Sequence, residues 1–130
     1  MTRINVIPPS HLSDKHLGAE YRELPRVFGL VRRAAERGEK PSDLRNPKEY
    51  VLGAGHVRFF YPRLAYISAR YLILCAECSA RGRKVNFGNL EELVQGIPRE
   101  WFKHWTPTPT AVQLNIDRIN ERGGLKHVNS

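Results

Sequence analysis

The sequence predicts an all-α fold, and three observations carry that expectation. Apolar residues recur at helical spacing through two long runs, Leu17 to Val31 and Leu64 to Cys78. Helix punctuation brackets these runs and a third segment near the C-terminus. The 130 residues, 41% of them apolar, suffice for one core without disulfide staples. The expected architecture is a single domain over residues 1–130. It has three main helices, shorter helices, long loops and an N-terminal arm packed between helices.

Each element has its own justification. Met1 to Ser10 contains Pro8-Pro9 and reads as an extended arm. Ser13-Asp14 supplies an N-cap and an acidic first turn, and the first helix then runs to about Arg37, with Gly38 at C′. Pro25 deletes the amide that would bond the Tyr21 carbonyl. Because apolar spacing continues through it, the expectation is one kinked, continuous helix. Glu39 to Tyr50 is a polar loop holding Pro41 and Pro47. Val57 to Tyr61 has strand propensity, although its aromatic residues are expected to pack against the long helices. Pro62 fits helix position N1, and the second long helix ends at Gly82. Asn89 to Val94 reads as a short helix closed by Gly96-Ile97-Pro98, and Thr110 to about Arg122 as the last helix, ended by Gly123-Gly124.

Charge narrows the partner. A net charge of +8 and a pI of about 9.9 favour nucleic acid or another anionic surface. On a wheel of about 100° per residue, Arg33, Arg26 and Arg37 lie about 20°, 40° and 60° from Arg22, with Glu23 near 100° and His16 near 120°. Val31, Leu24, Leu17, Phe28 and Tyr21 fill the opposite arc. The first helix therefore has an apolar wall and a cationic wall, with one carboxylate at the edge of the cations. Four arginines on one face exceed what helix stability requires and suit a polyanion.

Metal chemistry finds little support: the acidic residues are scattered and the histidines lack ligand spacing. Cys75 and Cys78 form a lone C-x-x-C without a second pair and read as core residues. The glycines of Leu52-Gly53-Ala54-Gly55 lack the context of a phosphate-cradling loop. The absence of a long apolar run argues against a membrane and for a cytoplasmic protein. One unusual nucleophile remains. If the initiator methionine is removed, as the small Thr2 permits, an α-amine with an ordinary pKa near ~7.7–8.0 is exposed. Arg3 and the arginine wall would lower that value, and a neutral amine attacks a sugar carbon to form a Schiff base. Every protein has an N-terminus and few are catalytic, so the residues alone leave this open.

Met1-Thr2-Arg3-Ile4-Asn5, His16-Leu17, the block Ala19-Glu20-Tyr21-Arg22-Glu23-Leu24-Pro25-Arg26-Val27-Phe28-Gly29, and Leu52-Gly53-Ala54-Gly55-His56 with Phe59-Phe60-Tyr61 closely resemble the phage and viral pyrimidine-dimer DNA glycosylases, also called endonuclease V. The resemblance covers most of the first 82 residues and thins beyond them to Ile97-Pro98 and the basic pair Arg118 and Arg122. It implies a monomeric glycosylase and abasic-site lyase acting on ultraviolet-induced cyclobutane dimers in double-stranded DNA, without metal or organic cofactor. By the same resemblance the Thr2 amine would attack the deoxyribose C1′, and Glu23 would stabilise the cationic sugar and assist β-elimination. Arg3, Arg22, Arg26, Arg118 and Arg122 would grip phosphates, and His16 would touch DNA or tune the site, a plain surface role being equally open.

The chain departs from the family at its end. Family members usually finish in an aromatic and basic run such as W-Y-K-Y-Y, whereas this chain finishes Gly-Leu-Lys-His-Val-Asn-Ser. Trp101-Phe102-Lys103-His104-Trp105 is either a substitute for that run or a core anchor. Two alternatives stand beside the repair reading. One is a related glycosylase/lyase for another lesion or modified base; the other is a non-catalytic DNA-binding module.

Overall fold

The computed structural model describes residues 3–86 and 88–125. It consists of helices and loops, and the β-type pairings among those residues are two isolated bridges, Leu12 with Leu125 and Arg63 with Phe102. Helix α1 spans Asp14–Glu23 and begins as its sequence dictates: the Ser13 side chain accepts the His16 amide at 3.3 Å. Leu17 and Tyr21 turn inward from it.

The expected continuous helix through Pro25 is instead two helices, with α2 spanning Arg26–Glu36. Leu24 and Pro25 keep right-handed helical dihedrals across the junction. The missing proline amide nevertheless shifts the ladder: Val27 bonds Leu24 at 3.0 Å and Phe28 bonds Pro25 at 3.2 Å, both three residues back. Val27, Phe28, Val31 and Ala34 bury the inner face of α2, and Gly38 follows in the left-handed region.

Helix α3, His56–Phe59, replaces the strand that residue propensity allowed. Gly55 starts it at φ +88°, and a Cβ there would meet the Pro47 ring at 3.0 Å. Helix α4, Leu64–Ala80, starts after Arg63, so Pro62 lies outside the helix instead of at N1. Ile67, Tyr71, Leu74 and Cys78 form its buried stripe, and α1 packs along it. Cys75 is half-buried, Cys78 is buried, both are free thiols, and burial raises the pKa of each. Helix α5 spans Leu90–Val94, with Asn89 capping the Glu92 amide at 2.9 Å. Helix α6 spans Pro109–Glu121, with the Thr108 side chain accepting the Ala111 amide at 3.1 Å.

The aromatic stretch before α6 belongs to the core. Trp101 is wholly buried, and Trp105 stacks on Tyr50 at 6.0 Å while its edge contacts Phe59, Phe60 and Tyr66. Of the two readings of this stretch, the packing of Trp101 and Trp105 favours the core anchor. No helix among the described residues is long and apolar enough to cross a membrane. The N-terminal arm lies among the helices, with Ile4, Val6 and Ile7 all buried.

Candidate active site

One face of α1 forms the floor of the site. His16, Ala19, Glu20 and Glu23 recur at helical spacing and line a concavity of about 430 Å³. Arg3 and Asn5 of the arm, Gly53 of the loop before α3, and Arg118 and Arg122 from the end of α6 complete it. A backbone bond explains how α6 reaches α1: the Ser13 amide donates to the Gly124 carbonyl at 2.7 Å. Gly124 lets the two segments approach without displacing His16, since a Cβ there would sit 2.6 Å from its ring.

The electrostatics are lopsided. Burial lowers the pKa of Arg3, and the charges of Arg118 and Arg122 lower it further. His16 is likewise held below its ordinary value by burial, then by Lys15, Arg3 and Arg122. Arg118 finds Glu121 at 3.5 Å, but cations outnumber anions around the opening. A cluster whose members depress one another is relieved by an incoming polyanion. Glu23 is half-buried at the edge of these cations and has no salt bridge among the described residues.

The second carboxylate in the concavity has a different role. Glu20 is 2% exposed, and both its oxygens are taken. Arg70 from α4 donates to them in a fork, at 2.9 Å on each side. The Asn5 amide and side chain donate at 3.2 and 2.8 Å. Arg70 also donates to the Ile7 carbonyl. Asn115 of α6 accepts the Val6 amide at 2.8 Å and donates to the Asn5 side chain at 2.9 Å, while the Tyr66 hydroxyl donates to the Asn5 carbonyl at 3.1 Å. His56 accepts the Ile4 amide at 2.9 Å. The arm is therefore clamped by polar side chains of α1, α3, α4 and α6, and Glu20 is an anchor of that clamp, not a free acid.

The structure brings Arg3, His16, Glu23, Arg118 and Arg122 together. Arg22 and Arg26 are exposed on the same helical pair but do not line this concavity. Arg26 and Arg33 border a separate groove between α2 and α5. Arg37 is engaged by Glu39 at 2.8 Å, which Arg58 and Arg45 also approach. The four-arginine wall of the wheel is thus divided, and the concavity takes its cations from the two ends of the chain. Thr2 lies outside the described residues. Among the described residues no cluster of three or more metal-ligating side chains occurs.

Glu20, Arg70, Asn115, Tyr66 and His56 were not singled out in the sequence for this clamp. A signal existed for three of them. Glu20 falls about 160° from Arg22 on the helical wheel, beside the apolar arc. Arg70 lies between Ile67 and Leu74, and Asn115 between Ala111 and Ile119, each on a buried stripe. A polar residue on an apolar stripe announces a buried partner. A family model described as pyrimidine dimer DNA glycosylase matches residues 1–89.

Proposed function

Because the chain belongs to the pyrimidine dimer DNA glycosylase family, we propose that it cleaves the N-glycosidic bond at ultraviolet-induced cyclobutane dimers and then nicks the strand as an abasic-site lyase. The attacking group is the α-amine of Thr2, free once Met1 is removed. It forms a bond to the deoxyribose C1′ as the glycosidic bond breaks and the base departs with the electron pair. The sugar ring then opens to an imine. Loss of a C2′ proton expels the 3′ phosphate, and water hydrolyses the imine to restore the amine. Glu23 stabilises the cationic sugar and accepts the C2′ proton.

One observation carries this reading. Arg3, the residue directly after Thr2, lines the same concavity as Glu23, with Arg118 and Arg122. Phosphate binding alone requires neither a clamped arm nor a carboxylate amid cations. Arg3, Arg118 and Arg122 hold the phosphates beside the opened site, Arg22 and Arg26 extend that contact along the helices, and His16 borders the opening. Reaching the sugar requires a bent, locally unpaired duplex, which a lesion that weakens the stack makes easier.

The test is strand nicking of irradiated against unirradiated supercoiled DNA by protein of verified N-terminus. The reading expects nicks that rise with ultraviolet dose. Equal nicking of both substrates, or none of either, overturns it.

A further inference from the structure

Three consecutive amides of the arm, those of Ile4, Asn5 and Val6, donate to side chains of three different segments: His56, Glu20 and Asn115. A strand held by its neighbours' backbone could slip by two residues and keep its bonds. An arm held by unique side chains has one register. Of the three holders, His56 grips the arm nearest its start.

Its chemistry is determined by its neighbours. Nδ1 lies 2.8 Å from the Val51 carbonyl, which only accepts, and Nε2 lies 2.9 Å from the Ile4 amide, which only donates. A neutral imidazole with its proton on Nδ1 satisfies both. An imidazolium would oppose its second N–H to that of Ile4. We infer that His56 is a positioning residue: as the neutral Nδ1–H tautomer it sets the register of the N-terminal arm against the Glu23 concavity, and its protonation frees the arm at Ile4. This rests on the proposed amine chemistry, because an arm without a reacting atom needs no such registration.

The surroundings support a neutral ring. His56 is 2% exposed, and the edges of Tyr50 and Phe60 pack around it at 5.5 and 5.6 Å. The charged groups acting on it are Arg3, which opposes a second positive charge, and Glu20, whose attraction is spent on Arg70. Burial is the largest influence and lowers the pKa.

The experiment compares wild type, His56→Leu and His56→Gln on a duplex holding one abasic site, where base excision is bypassed. Imine formation is read by borohydride trapping, affinity by titration, and the ring by nitrogen-15 NMR. The wild-type ring should show a protonated Nδ1 and a bare Nε2, with the Ile4 amide protected from exchange. His56→Leu, at saturating DNA, should trap on the order of 10²-fold more slowly, the effect of a misplacement near 1 Å. Its rate should also lose one proton from its dependence on acid pH. His56→Gln, which keeps an acceptor near the Nε2 position, should recover most of the rate. A folded His56→Leu with the wild-type rate and pH profile overturns the inference, as does a proton on Nε2. If the leucine variant does not fold, a glutamine variant no faster than 10²-fold below wild type overturns it. Absence of any wild-type adduct refutes the amine chemistry instead, a separate result from the NMR readouts.

Discussion

Replacing Arg70 with methionine removes the counter-ion of a carboxylate that cannot reach water. The side chains of Arg70 and Glu20 are 3% and 1% exposed, and two bonds of 2.9 Å join them. An exposed pair would contribute at most about 1 kcal/mol. Here the loss leaves a buried charge uncompensated, which costs about 3–5 kcal/mol, including the forfeited bond to the Ile7 carbonyl. At about 3–4 °C per kcal/mol for a domain of this size, the melting temperature should fall by roughly 10–20 °C. Adding Glu20→Gln removes the orphaned charge yet keeps an acceptor for Asn5, so the double variant should recover about half of that loss or more. Urea denaturation of the wild type, both single variants and the double variant measures the coupling. A cost below about 1 kcal/mol for Arg70→Met, or a double variant as unstable as the two single losses summed, would refute the assignment of this pair as a dry anchor.

Other outcomes follow from the same geometry. Glu23→Gln should bind irradiated duplex normally and lose about 10²–10⁴-fold in incision, checked by single-turnover cleavage. Arg122→Ala should weaken DNA binding and reduce the salt slope of log K by about one, whereas Arg37→Ala, its guanidinium already on Glu39, should leave that slope unchanged. Stability should fall as acid is added. The pKa of His56 is lowered in the folded chain, so the unfolded chain binds the proton first. The ring's contribution is therefore complete above the unfolded value near ~6.5 and is lost as pH falls from there to the lower folded value. Denaturant midpoints across that range check this, and His56→Gln should flatten the decline.

Local chemistry was legible and remote chemistry was not. Ser13 and Asn89 announced their helices because a cap bonds an amide three residues away. The last helix starts at Pro109, one residue before the expected Thr110, because Thr108 is the cap and proline suits the first turn. At Val57 to Tyr61 strand propensity, which counts branched and aromatic side chains, gave way as expected to packing: Phe59 and Phe60 are buried, and Gly55 opens a helical turn. The kinked helix was right in backbone dihedrals but not in hydrogen bonding, since Pro25 withholds a donor. At the site, the approach of Arg3 to Arg118 and Arg122 spans almost the whole chain, and helical spacing carries no information across that distance. Glu20 and Glu23 looked alike in sequence. Three residues on one helix separate an anchored carboxylate from one facing the opening.

Locating the trapped bond decides whether the chain's own amine and Glu23 meet at one sugar. Protein of verified Thr2 N-terminus is reduced with borohydride on a dimer-containing duplex, and the adduct is mapped by peptide mass spectrometry. A single cross-link on the α-amine of Thr2 is expected, abolished by acetylation of that amine. A cross-link on a lysine side chain, or an undiminished adduct after acetylation, would contradict attack by Thr2.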